Sequence, residues 1–144
     1  MVAEWFFEQI RKMDELIVGK KADRELLMEM ATKITAGMDG MPHGTDVADK
    51  VGNIAAKLAT LSSEIDALEE RRDKFMAVLE SLPPDEYGAL HRHYIRGMTW
   101  EEVAEDMNVS IATAYRYRKS GLDMLEQMEV YIQKCTGKMQ VDSP

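Results

Sequence analysis

Apolar side chains between Glu4 and Val18 fall at Trp5, Phe6, Ile10, Met13, Leu16 and Ile17, a helical rather than alternating spacing, and this predicts an amphipathic helix that Gly19 ends. Asp23 is placed to cap a second helix running to about Thr35, with Leu26, Leu27, Met30 and Ile34 as its apolar stripe. The two are expected to pair as an N-terminal helical hairpin over residues 1–36. Three glycines and a proline in GMDGMPHG, residues 37–44, break helical structure and predict a linker.

From Thr45 or Asp46, either of which can cap it, a long helix is predicted over residues 45–81. Its inward positions are Val47, Val51, Ile54, Leu58, Leu61, Ile65, Leu68, Arg72, Phe75 and Leu79, separated by alternating steps of four and three. A 3.5-residue period is the seam of a coiled coil, here held for more than four heptads with Arg72 as its one charged member. Such a helix is about 50 Å long at 1.5 Å per residue. It cannot bury that seam alone, so a partner is implied: a second copy in a homodimer is favoured, with the N-terminal helices folded back along it as the alternative.

Ser81–Pro84 (SLPP) stops the long helix, because a residue before proline avoids helical dihedrals while Pro84 fits a first helical turn. A three-helix domain is predicted over residues 82–134, with a tail at 135–144. Its first helix is Asp85–Ile95, closed by Gly97, and Thr99 then caps Trp100–Met107 with Glu102 completing a capping box. Asn108 and Val109 make a tight turn, and Ser110 caps a last helix reaching Leu125. Helix, short turn, helix is the DNA-reading arrangement, with Ala104, Val109, Ala114, Tyr117, Gly121 and Leu125 as its buried side. The fold class is therefore all-α: a hairpin, a long heptad helix and a C-terminal helix-turn-helix.

On the opposite side of the last helix, Ala112, Tyr115, Arg116 and Lys119 form one stripe that fits the DNA major groove. Arg116 is the best base reader, since a guanidinium can bond guanine O6 and N7 together; Ala112 and Ile111 can touch only thymine methyls. Lys119, Arg118 and Arg96 suit phosphates, and Ser110 and Thr113 at the same helix end complete the candidate set. Tyr117 belongs to the core, and Trp100, directly after a cap, is expected to cover it.

Charge at first argues against this reading, because the net formal charge is -8 and affinity for nucleic acid is set largely by cations that displace phosphate counterions. Its distribution answers the objection. Tyr87 to Ser120 holds five basic side chains (Arg92, Arg96, Arg116, Arg118, Lys119) against four acidic ones, and the acids all precede Asn108. Ser110 to Ser120 holds three basic residues and no acid.

Other chemistry finds little support. The single cysteine, Cys135, can form no internal disulfide, no run of about 18 apolar residues suggests a membrane span, and the N-terminus has no signal-peptide order. A cytoplasmic protein is expected. His91 and His93 flank Arg92 but diverge by about 200° on a helix, so they are not read as a metal pair. The twelve methionines are read as packing. No paired carboxylates in helical register, nucleophile with base or glycine-rich phosphate loop appears, so neither an enzyme nor a cofactor is expected.

The block TWEEVAEDMNVSIATAYRYRKSGLDML, about a third of the chain, resembles the region-four helix-turn-helix of bacterial sigma factors without gaps. The wider arrangement, with Trp5, MPHGTDVADKVGNIAAKLATL, the long helix and LHRHYIRGMTWEEVAEDMNVS, resembles the ArpU/RinA-type transcriptional regulators of phages and prophages. That resemblance implies a sequence-specific regulator that binds double-stranded DNA near a promoter and contacts host RNA polymerase. In the sigma-like pattern the reading positions fall on Ile111, Ala112, Tyr115 and Arg116, and only Arg116 has the polar or basic character expected of them. Two alternatives fit the same residues: a DNA-recognition protein like a phage terminase small subunit, and a protein-interaction adaptor with a degenerate helix-turn-helix.

Overall fold

The structure, a computed structural model, describes residues 2–36 and 45–136, and its regular elements are all helical. They are α1 (Val2–Ala36), α2 (Thr45–Glu80), α3 (Pro84–Leu90), a π-helical segment (His91–Ile95), α4 (Trp100–Met107), α5 (Ile111–Gln127) and α6 (Glu129–Thr136). The expected linker at 37–44 lies outside the described residues, as does the expected tail beyond Thr136. The helices form two compact units, one of residues 13–70 and one that joins residues 1–12 to residues 71–144.

The expected pair of short N-terminal helices is instead one helix, and Asp23, expected as a cap, lies exposed in its interior. A mid-helix glycine costs about 1 kcal/mol relative to alanine, too little to break a helix that is supported along its length. The support shows in the burial pattern. Met13, Ile17, Lys20, Arg24, Leu27, Ala31 and Ile34, at steps of four and three, are the less exposed positions on both sides of Gly19.

Within the 13–70 unit these positions meet the seam of α2. Lys20 pairs with Glu64 at 2.9 Å, while Leu26, Leu27 and Met30 lie beside Ala56, Thr60 and Leu61, so the two helices run antiparallel. Ile54 and Ile65 are buried and Val51, Leu58, Leu61 and Leu68 half-buried within the single chain. Of the two partners the heptad pattern allowed, the chain supplies its own. The exposed ion pairs Lys20–Glu64 and Lys21–Glu69 each add at most about 1 kcal/mol; burial of the apolar seam holds the hairpin.

In the other unit the start of α1 is part of the C-terminal core. Phe6 and Phe75 are fully buried with ring centroids 5.3 Å apart, and Trp5 lies 5.8 Å from the same Phe75 ring. The Glu126 carboxylate near the end of α5 accepts the first-turn N–H groups of Val2 (3.3 Å) and Ala3 (3.0 Å), placing negative charge at the positive end of the helix. Phe7 stacks on Tyr94 at 4.2 Å.

The helix expected over Asp85–Ile95 exists but widens from α to π at His91. The wider turn lets the Arg96 N–H donate five residues back to the His91 carbonyl, and Gly97 and Met98 close the segment by donating to the His93 and Arg92 carbonyls. Gly97 then reverses the chain with φ +75°, a left-handed conformation that favours glycine.

Gly19 is exposed and a Cβ added there meets nothing within 4 Å. Gly19→Ala is therefore expected to raise stability by about 0.5–1 kcal/mol in a denaturant titration; a loss of stability would restore a helix stop at this position.

Candidate nucleic-acid interface

The helix-turn-helix is built by local chemistry that closes each helix end. Thr99 Oγ1 accepts the Glu102 N–H at 3.2 Å, and the Glu102 carboxylate accepts the Thr99 N–H at 2.9 Å, forming the expected capping box at the start of α4. Asn108 leaves α4 with φ 59°, a left-handed position that asparagine tolerates better than most residues, and the Val109 N–H returns to the Ala104 carbonyl at 2.9 Å. Ser110 Oγ accepts the Thr113 N–H at 3.1 Å and starts α5.

Small residues then let the helices approach closely. Ala89, Val103, Ala104 and Ala114 are buried together with Trp100, and Tyr94, Met98, Met107, Val109 and Tyr117 pack around them. At Gly121 an added Cβ would lie 2.7 Å from Leu90 Cδ1, so α5 crosses α3 where only glycine fits unless Leu90 moves. Tyr117 and Trp100 sit as the sequence pattern expects, half-buried and buried against this core.

Helical geometry sends the remaining side chains of α5 outward. Ile111, Ala112, Tyr115, Arg116 and Lys119 are exposed and share one side. Thr113 is half-buried, and its hydroxyl accepts a hydrogen bond from Ser110 Oγ at 2.9 Å, so these two members of the expected set are engaged with the cap. Arg118, expected at a phosphate, is half-buried, with its guanidinium 6.0 Å from the Trp100 ring centroid. Arg96 is exposed at the end of the π segment.

Sequence reasoning missed the partners behind this surface. Trp100 carries Tyr115 on one side (5.5 Å), Arg118 above it, and a stacked His93 at 4.3 Å, whose Nδ1 lies 2.8 Å from the Met98 carbonyl oxygen. Arg92 bonds Asp106 through Nε at 2.6 Å and the Gly88 carbonyl through Nη1 at 3.1 Å, tying the π segment to α4. That bond, with the guanidinium charge, holds the Asp106 carboxyl below its ordinary range. No periodicity signals a contact fourteen residues apart; the i to i+4 step from Gly88 to Arg92 was the one local hint.

Residues 72–125 match the family model described as Sigma-70, region 4. No curated protein and no solved structure matches the chain. The C-terminal part of the protein is thus a sigma region-four-like helix-turn-helix, a DNA-binding, transcription-related domain, within an all-helical fold. Among the described residues no helix is long and apolar enough to cross a membrane.

The imidazole of His91 is held below its ordinary pKa, first by burial and then by Arg96, Arg92 and Arg72, with Glu80 acting in the opposite sense. Stability tied to neutral His91 is fully present above the unfolded value of about 6.5 and is lost as pH falls toward the lower folded value. A melting series from pH 7 to pH 5 is expected to show a smaller loss in His91→Gln than in the wild type; equal losses would place the acid sensitivity elsewhere.

Proposed function

We propose that the protein is a cytoplasmic, sequence-specific DNA-binding transcriptional regulator of phage or prophage type, with α5 as its recognition helix. The observation that carries this reading is an acid-free stretch from Met107 to Leu122 presenting Arg116 and Lys119 on the exposed side of a capped region-four-like helix-turn-helix. Arg116 reads a guanine, Lys119 and Arg96 meet phosphates, and Ile111, Ala112 and Tyr115 touch base edges. Arg118, with its guanidinium over Trp100, reaches the flanking backbone. The likeness to region four and to ArpU/RinA-type regulators supports a site near a promoter and contact with RNA polymerase.

A homodimer belongs to this reading. A surface suited to a second copy is the apolar groove between Leu26 and Met30 of α1 and Ala56, Thr60 and Leu61 of α2, where Leu26 is 59% and Met30 50% exposed. Asp23 and Glu64 border it beside Lys57, so two-fold docking can set unlike charges opposite each other. Sedimentation should give a dimer for the wild type and a monomer for Leu26→Glu with Met30→Glu; a monomeric wild type would contradict it.

DNA reading is tested by selecting bound sequences from a random duplex pool with the full chain, at two salt concentrations. A shared motif is expected, weakened by salt in proportion to the phosphates contacted and costing about 1–3 kcal/mol of discrimination at one guanine in Arg116→Ala. No enrichment at low salt would contradict the function.

A further inference from the structure

Two large apolar side chains of the helix-turn-helix remain exposed, Ile111 (41%) and Tyr115 (46%), and they stand four residues apart on the reading side of α5 with Ala112 beside them. Polar readers at that end of the helix are scarce. The Ser110 hydroxyl is committed to the cap, accepting the Thr113 N–H and donating to the Thr113 hydroxyl. Arg116 is then the one exposed side chain in the first two turns able to bond a base edge bidentately.

The Tyr115 ring is steadied by Trp100, 5.5 Å away and itself almost fully buried, so docking the ring flat against a surface costs little side-chain freedom. In the major groove the one apolar group that a base presents is the C5 methyl of thymine. An apolar patch on a surface whose ionic side chains, Arg116 and Lys119, are both cationic matches a polyanion that carries methyl groups.

We propose that this face selects thymines by their methyl groups, with Ile111 and Tyr115 seating C5 methyls next to the guanine bound by Arg116. The proposal rests on the DNA-reading function above and specifies what is read. Uracil keeps every hydrogen-bonding atom of thymine and lacks only the methyl, so it separates the two.

The test takes the duplex most enriched by the full chain from the random pool and compares its affinity with that of the same duplex carrying uracil at every thymine. Wild type is expected to bind the uracil duplex about fourfold more weakly for each methyl contacted, the worth of burying one methylene-sized group. Ile111→Ala, which alters an exposed side chain and leaves the core intact, should lose about one such factor of discrimination. Equal affinity for the two duplexes would overturn methyl reading while leaving DNA binding in place. Undiminished discrimination in Ile111→Ala would also overturn it, by tracing the uracil effect to duplex shape. If no duplex is enriched at all, the DNA-reading function itself fails, and the proposal with it.

Discussion

Everything on the outer side of α5 depends on how closely its inner side is drawn into the domain. Ala114 is fully buried in the cluster that holds Ala89, Val103, Ala104 and Trp100, and seven residues later Gly121 comes so near Leu90 that a single methyl group would overlap it. Leu125, one further turn along, is also fully buried. Three anchors spaced by seven and four residues on one side of a helix fix its rotation, and the rotation dictates that Ile111, Ala112, Tyr115, Arg116 and Lys119 face outward. A larger residue at Ala114 or Gly121 would alter the outward face without touching any side chain on it.

The parts of this arrangement legible in the sequence are those settled within a few residues. Thr99 with Glu102, the tight turn at Asn108, the cap at Ser110 and the helix stop at Gly97 each act within about a turn of chain, and residue type alone identifies them. The heptad steps of α2 were equally legible because they repeat. The N-terminal hairpin was misread because Gly19 and Asp23 are local stop and start signals, and the contacts that override them come from α2, more than forty residues away. For the same reason nothing near Val2 and Ala3 announces Glu126, and nothing near Arg92 announces Asp106. Within the candidate interface, spacing separated inward from outward positions but could not reveal that Arg118 lies over Trp100 or that Ser110 and Thr113 bond each other.

Charge placement reconciles an acidic chain with a DNA-reading head. The net charge is -8, yet the acids of the helix-turn-helix lie in α4, before the turn, and at Asp123 and Glu126 in the second half of α5, and one of the α4 acids, Asp106, is bound to Arg92. What remains from Met107 to Leu122 is purely cationic where it is charged at all. With a Debye length of about 8 Å at physiological ionic strength, distant acids on other helices are largely screened, whereas cations in contact with a phosphate are not.

The proposed function requires that DNA be met on the exposed side of α5. Backbone amide spectra of the full chain, recorded while the selected duplex is added, test it most directly. The largest shifts are expected at Ser110 to Arg116 and at Lys119, with smaller ones around Arg96 and the residues under Trp100. Shifts gathered instead along the 13–70 hairpin, with α5 unchanged, would contradict it.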